Sequence, residues 1–380
     1  MRFPEFTEEW EKKKMKDECT FYSGGTPSSS NKEYYSGNIP FIRSGELHEC
    51  STELFISEDG LNNSSAKMVY KGDLLLALYG ATSGDIAISQ IEGAINQAIL
   101  CINTKNSKEY IKAIWQKHVQ RILQTYLQGG QGNLSADIVK NISFYFASSK
   151  EQDKLANFIH LLDERIATQN KIIEDLKKLK SAIIDYAINS LDIDTVKFGS
   201  LYKTAGEGGT PSTSNVNFYD NGQIPFIKID DLKQKYLTEN KNFITELGLQ
   251  KSSAWLVPTN SILFSNGATI GEISITTYPV CTKQGILGIV PKSHVDVDYL
   301  YYFMSSAYFR KEVCRIVTEG TMKTAYLKDI NNIPCPIPTK ETQQEIAKMP
   351  SLLNSKIELE QNILDMLNKQ KRYLLSHMFI

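Results

Sequence analysis

The sequence lacks most of the features by which an enzyme or a metal protein is recognised. Its six cysteines show no CxxC spacing, which argues against a zinc site and against a disulfide framework. It contains no GxxxxGK(S/T) phosphate loop, no HExxH motif, no GxSxG elbow and no GxGxxG motif. The five histidines lie far apart. These absences predict a chain with no catalytic residues, no metal site and no cofactor of its own.

Long hydrophobic runs and a surplus of one charge are also missing. No apolar run approaches the roughly 20 residues that a membrane span needs, and the N-terminal segment MRFPEFTEEWEKKKMKDE lacks the apolar core of a signal peptide. Forty-two basic and 43 acidic residues give a formal net charge of −1. We therefore predict a soluble cytoplasmic protein without a membrane partner. Any surface for a polyanion must be a local patch or be completed by another subunit.

The sequence does contain an internal duplication. Four blocks occur twice in the same order: GGTPS at 24–28 and 208–212, IPFI at 39–42 and 224–227, SSA at 64–66 and 252–254, and GAT at 80–82 and 267–269. Preserved order indicates one domain that was duplicated and then diverged. Two copies are too few for a solenoid, so we predict two similar domains related by an approximate two-fold axis.

Each copy ends in a long segment whose apolar residues recur at alternating steps of three and four. This repeat of 3.5 residues is typical of a helix that packs against a partner helix. The predicted spacer positions are Leu155, Ile159, Leu162, Ile166, Ile173, Leu176 and Ile183 in the first helix, and Ile346, Leu353, Ile357, Leu364, Leu367 and Leu374 in the second. Pro350 occupies the slot that matches Ile159, which predicts that the second helix starts near Met349 or kinks there.

Before each long helix the chain is rich in short apolar runs separated by Gly, Asn, Ser and Asp, a pattern typical of strands and turns. We predict an α/β fold with two β-rich domains that also carry helices, separated by two long antiparallel coiled-coil helices. The boundaries are 1–149 and 191–340 for the domains, and 150–190 and 341–380 for the helices.

A helix of about 35 residues is roughly 50 Å long, which compares with one or more ~34 Å turns of a DNA duplex. The repeated loops carry hydroxyls, amides and isolated basic residues that can bind phosphates or base edges, although structural turns are the alternative. The candidate DNA contacts are Thr26, Ser28, Ser29, Lys32, Arg43, Lys67, Thr82, Ser83, Gln131, Asn133, Thr210, Ser212, Thr213, Lys228, Asn266, Thr269, Lys283 and Lys323.

The ordered set of motifs, GGTPS, IPFI, GAT, a polar Gly loop and a heptad helix, all present twice, resembles the specificity subunit of type I restriction-modification systems. The resemblance covers essentially the whole chain. It implies two target-recognition domains that each read one half of an asymmetric, bipartite double-stranded DNA target. It also implies that the helices set the gap and dock two methyltransferase subunits, and that motor-nuclease subunits join for restriction. S-adenosylmethionine, ATP and Mg²⁺ are then expected only in those partners.

Three alternatives stay open from the sequence. A DNA methyltransferase or nuclease in its own right needs a cofactor loop or an acidic cluster, and the pair Asp230 and Asp231 is the nearest candidate. The first copy has Gly45 and Glu46 at those places, which favours solvated turns. A second alternative is a protein scaffold whose coiled coil bridges partners without DNA. The third is a recognition subunit of a methylation-only or type II-like system.

Overall fold

The computed structural model describes residues 2–126, 133–267, 269–317 and 324–379. The chain divides into two compact units, Met1–Asn170 with Asn362–Ile380, and Lys171–Gln361. Each unit holds one β-rich domain and a part of both long helices. In the described ranges, no helix is both long enough and apolar enough to cross a membrane.

The first unit is built on two four-stranded sheets with the orders β2-β9-β6-β7 and β4-β3-β8-β5, plus the antiparallel pair β1-β10. Its strands are β1 Glu11–Lys14, β2 Cys19–Ser23, β3 Ile39–Ile42, β4 Phe55–Ile56, β5 Lys67–Val69, β6 Leu74–Ala77, β7 Ile86–Ile88, β8 Gly93–Ile95, β9 Ile99–Thr104 and β10 Ser143–Phe146. Its helices are α1 Met15–Glu18, α2 Glu58–Asn62, α3 Lys108–Tyr126, α4 Ala136–Asn141 and the first part of α5 Ser149–Asn189.

The second unit repeats the central strand order of each sheet but has five strands in one sheet and three in the other. Its sheets have the orders β12-β19-β16-β17-β14 and β15-β13-β18, plus the pair β11-β20. Its strands are β11 Thr195–Lys197, β12 Tyr202–Glu207, β13 Ile224–Ile227, β14 Tyr236–Leu237, β15 Phe243–Ile244, β16 Ile262–Ser265, β17 Ile273–Thr276, β18 Cys281–Thr282, β19 Ile286–Pro291 and β20 Pro334–Pro336. Its helices are α6 Glu246–Gln250, α7 Val297–Ser305, α8 Ala307–Ile316, α9 Leu327–Ile330 and the first part of α10 Lys340–Met378. The predicted pair of β-rich domains with long helices is confirmed.

The long helices run antiparallel inside each unit. In the first unit Lys371 Nζ lies 2.6 Å from Asp163 Oδ1, and the end of α10 shares a core with the start of α5 through Leu155, Ile159 and Leu374. In the second unit Lys180 Nζ donates to Asn354 Oδ1 over 3.0 Å. Lys371 and Lys180, which are polar residues within the two heptad series, therefore make specific contacts with the facing helix.

α10 begins at Lys340, one residue before the predicted boundary of 341. A start near Met349, one of the two effects expected of Pro350, does not occur, and Pro350 lies buried in the helix interior. Proline removes one helical hydrogen bond, but contacts of the first turn with the domain hold the helix in place. Gln343 accepts from the Asp296 backbone N–H over 2.8 Å and donates to the carbonyl oxygens of His294 and Pro338.

Two further details were not visible in the sequence. A helical sequence pattern continues from Val297 to Val317, but the helix is divided at Ser306, which has extended backbone angles and caps α8 by accepting from Phe309 N–H over 3.1 Å. Near the end of α5, Ile184 and Ile188 are buried at 4% and 5% exposure, beside the half-buried predicted position Ile183. A straight helix has 3.6 residues per turn, so a 3.5-residue series drifts away from the buried face over several turns.

Candidate DNA-recognition surfaces

In the first unit the repeated loops meet at one edge of the β3-β8 sheet. The GGTPS loop packs on the end of β8 so closely that a Cβ atom at Gly24 would overlap the carbonyl oxygen of Ile95. Only glycine permits this approach. β3 runs parallel to β8 with Ile42 opposite Ile95, so Arg43 emerges at the same edge.

The GAT turn and the segment at Leu134, just before α4, reach the same edge. Thr26 Oγ1 donates to Gln97 Oε1 over 2.7 Å, two residues beyond β8. The backbone of Leu78, just before the GAT turn, donates to Ala98 O over 2.8 Å and accepts from Leu134 N–H over 3.1 Å. Blocks that are up to a hundred residues apart in sequence thus form one polar surface.

The second unit repeats these contacts. A Cβ atom at Gly208 would overlap Thr282 O, and Gln284 N–H donates to Thr210 Oγ1 over 3.3 Å. The backbone N–H of Asn266 donates to Gly285 O over 3.0 Å, and its carbonyl accepts from Ala325 N–H over 2.9 Å. The duplication therefore extends to the backbone hydrogen bonds of Leu78 and Asn266. The threonine–glutamine bond differs, because it uses the side chain of Gln97 but the backbone N–H of Gln284.

In the first unit the positive charge of Arg43 at this edge is paired with two carboxylates. Arg43 donates through Nε and one terminal nitrogen to both carboxylate oxygens of Glu46, and that nitrogen lies 2.6 Å from Glu53 Oε2. The hydrogen bonds that Arg43 donates to Glu46 and then to Glu53 raise the pKa of Arg43 above its ordinary value. The equivalent Lys228 donates to the neutral Asn242 Oδ1 over 2.8 Å. Arg43 is thus held by two carboxylates, whereas Lys228 keeps a less compensated charge.

The other predicted contacts vary in accessibility. Those with exposed side chains are Ser28, Ser29, Lys32, Lys67, Asn133, Ser212, Thr213, Thr269 and Lys283, and those that are half-buried are Thr82, Ser83 and Thr210. Asn266 is only 1% exposed and donates through Nδ2 to Ala325 O, so it holds the loop end. Gln131 and Lys323 lie outside the described residues. Gln97 and Gln284 were overlooked as candidate contacts, although their repetition was a signal.

The long helices carry a second feature that the inward-facing pattern did not predict. In each unit they expose large apolar side chains, many of them seven residues apart and therefore on one side of their helix. In the first unit these are Phe158, Leu161, Met366 and Tyr373, and in the second Ile172, Leu179, Tyr186, Met349, Leu352 and Leu359. We call these sets the first and the second apolar patch. Large apolar side chains exposed in heptad register on one helix are candidates for protein–protein contacts.

Two similar domains with matched polar edges, each joined to long paired helices, define a duplicated recognition protein. Residues 7–178 and 191–369 match the family model described as "Type I restriction modification DNA specificity domain", and the chain belongs to this family. The predicted resemblance is confirmed.

Several known proteins are similar to this chain. The type I restriction enzyme MjaIX specificity subunit of Methanocaldococcus jannaschii is 25% identical, over 97% of this chain and 92% of that protein. The EcoR124I/EcoR124II specificity subunit of Escherichia coli is 26% identical over 57% of each chain. Among solved structures, the type I restriction-modification S subunit from M. genitalium superposes with a TM-score of 0.61 at 16% identity, covering 100% of this chain and 97% of that one.

Proposed function

We propose that this chain is the non-catalytic DNA-recognition subunit of a cytoplasmic type I restriction-modification complex. Each domain reads one half of a bipartite double-stranded target, and the long helices set the gap between the halves. The observation that carries this proposal is the duplicated polar edge, where loops from separate parts of the sequence present matched hydrogen-bonding groups. Such groups suit a DNA duplex, whose backbone and base edges are recognised by hydrogen bonds.

The two half-sites differ in sequence. Equivalent positions at the two edges carry different chemistry: Arg43 matches Lys228, and Lys67 matches Trp255, whose indole packs on the core of the second unit. Nε and one terminal nitrogen of Arg43 already donate to carboxylates, so its other terminal nitrogen is the donor left for a base, whereas Lys228 offers a single ammonium group. Divergence at these positions supports an asymmetric target.

The apolar patches support the docking of two methyltransferase subunits, one on each patch. Each patch offers large side chains such as Leu161 and Leu359, which are about half exposed. Apolar anchors of this size supply much of the binding energy at protein interfaces. In this proposal the methyltransferases hold S-adenosylmethionine, and motor-nuclease subunits with ATP and Mg²⁺ complete the restriction complex.

The near-neutral net charge of the chain is expected to limit its affinity for DNA. Affinity for DNA depends largely on neutralised phosphates, and this chain has a formal net charge of −1 with Arg43 already held by carboxylates. The isolated chain is therefore expected to bind DNA weakly, and the complex with methyltransferase subunits tightly. A gel-shift assay in which both bind the same target equally well would contradict this expectation.

The decisive experiment is genome-wide methylation mapping of the host with and without this gene. We expect one bipartite, asymmetric motif to lose its methylation when the gene is deleted and to regain it on complementation. An unchanged methylome, together with an expressed methyltransferase that binds this chain, would refute the proposed function.

A further inference from the structure

A threonine–glutamine contact is common to both recognition edges, through the glutamine side chain in the first unit and through the glutamine backbone N–H in the second. In the first unit the Thr26 hydroxyl donates to Gln97 Oε1 over 2.7 Å. In the second, the Thr210 hydroxyl accepts from the backbone N–H of Gln284 over 3.3 Å. The side chains of Gln97 and Gln284 are both exposed. Both edges therefore present a glutamine next to a threonine hydroxyl at the same place.

The backbone around this contact is closely packed. The first glycine of each GGTPS loop packs against the strand end that precedes the glutamine, Ile95 in one unit and Thr282 in the other. The Lys283 N–H also donates to Ile227 O over 2.9 Å, which joins the end of β13 to the glutamine segment. These contacts position the backbone from which each glutamine side chain extends.

The residues around the pair are not the same in the two units. Asn96 precedes Gln97 where Lys283 precedes Gln284, and Ser23 stands where the other copy has Glu207. Two half-sites of different sequence require different base contacts, but their sugar–phosphate backbones are chemically identical. Gln97 and Gln284 are identical although their neighbours differ. We therefore expect the glutamine to contact the sugar–phosphate backbone of the DNA rather than a base.

Hydrogen-bond geometry supports the same assignment in the first unit. Because Thr26 donates to Gln97 Oε1, the Gln97 amide has its Nε2 donors left for a ligand. A bidentate contact with adenine would require Gln97 Oε1 to accept a second hydrogen bond beside the one from Thr26, using its other lone pair. A phosphate offers acceptors only, so it matches the remaining donors of Gln97.

We propose that Gln97 with Thr26, and Gln284 with Thr210, bind a backbone phosphate in their respective half-sites, while the divergent neighbours select the bases. This inference rests on the proposed function. It adds Gln97 and Gln284 to the candidate DNA contacts. At each edge the threonine and glutamine bind a phosphate, and the neighbouring residues bind the bases.

The test uses the complex of the full chain with its methyltransferase, and compares wild type with Gln97→Ala, Gln97→Glu and Gln284→Ala. Glutamate keeps an acceptor for the Thr26 hydroxyl but has no donor and carries a negative charge. We expect alanine to weaken binding about tenfold, as for loss of a hydrogen bond to a charged group, and glutamate to weaken it more. The loss should be the same on target and scrambled duplexes, and the methylated motif should not change. Gln90→Ala, an exposed glutamine whose Nε2 bonds Ile88 O, serves as the control and should bind like wild type.

Two results would overturn the assignment. A motif that becomes relaxed at a base of one half-site in Gln97→Ala or Gln284→Ala would show that the glutamine reads sequence. Wild-type affinity in Gln97→Glu, with unchanged thermal unfolding, would show that it does not touch DNA. These failures differ from failure of the proposed function, in which the wild-type complex itself would lack sequence-specific binding.

Discussion

Replacement of Ile159 by alanine tests the inward face of α5. Ile159 is 0% exposed and lies in the core of the first unit with Leu155 and the end of α10. Ile→Ala at such a site removes buried carbons and leaves a cavity, which typically costs about 2–5 kcal/mol. Since whole domains are stable by only about 5–15 kcal/mol, we expect a large shift in the unfolding of this unit.

The assay is urea unfolding followed by the fluorescence of Trp10 and Trp115, which are buried in the same core. The matched control is Leu161→Ala, two residues further along α5, at 54% exposure. Its loss of stability should stay within about 0.5 kcal/mol. Because Leu161 belongs to the first apolar patch, this variant should instead weaken copurification with the methyltransferase.

The reasoning would be refuted if both variants lost the same stability, or if Ile159→Ala unfolded like the wild type. Either result would mean that the inward and outward faces of α5 are assigned wrongly. Normal methyltransferase binding by a fully folded Leu161→Ala variant would count against the patch only, and would leave the helix pairing intact.

Three further predictions concern single side chains. Arg43→Lys, which installs the residue of the second copy, should weaken target binding by about 1–3 kcal/mol and relax the methylated motif in one half-site only. Burial lowers the pKa of Lys180, so the charged lysine destabilises the fold below its folded pKa, and this penalty disappears as pH rises towards 10.5. Lys180→Met should therefore raise stability at pH 7 by about 1 kcal/mol, with a smaller gain in alkaline solution. The hydrogen bond that His48 donates to the Asp85 carboxylate raises the pKa of His48. Its stabilising effect should be complete below pH 6.5 and lost as pH rises through the higher folded pKa, and NMR titration of His48 in wild type and Asp85→Asn measures it.

Each of these has a clear contrary outcome. An unchanged motif in Arg43→Lys would remove Arg43 from the reading residues. A lower stability of Lys180→Met at pH 7 would mean that the bond to Asn354 outweighs the burial of the charge. An identical His48 titration in both proteins would show that Asp85 does not control it.

The duplication and the helix pairing could be predicted because both depend on local patterns. Repeated blocks in preserved order need no knowledge of three-dimensional contacts, and a 3.5-residue period follows directly from helix geometry. The β-rich domains were predicted from short apolar runs such as those at β6 and β16, which are fully buried.

Other features depend on tertiary contacts that a single sequence does not encode locally. The continuation of α10 through Pro350 is supported by the bonds of Gln343 to a distant segment, which the local effect of Pro350 does not reveal. The meeting of Thr26 with Gln97 depends on the pairing of β2 with β9, which sets Ser23 opposite Leu100. Candidate contacts chosen by residue type therefore included the buried Asn266 and omitted both glutamines.

The central claim is that the paired helices set the gap in the DNA target, and a matched insertion tests it most directly. One heptad is inserted into α5 after Gln169 and one into α10 after Ile363. The insertions keep the heptad phase and the contacts of Lys371 with Asp163 and of Lys180 with Asn354. Each helix becomes longer by about 10.5 Å, roughly three base pairs of DNA at about 3.4 Å each. Methylation mapping should then show that the wild-type motif is no longer methylated, because its gap has changed or recognition is lost. Continued methylation of the wild-type motif with its original gap would contradict the account.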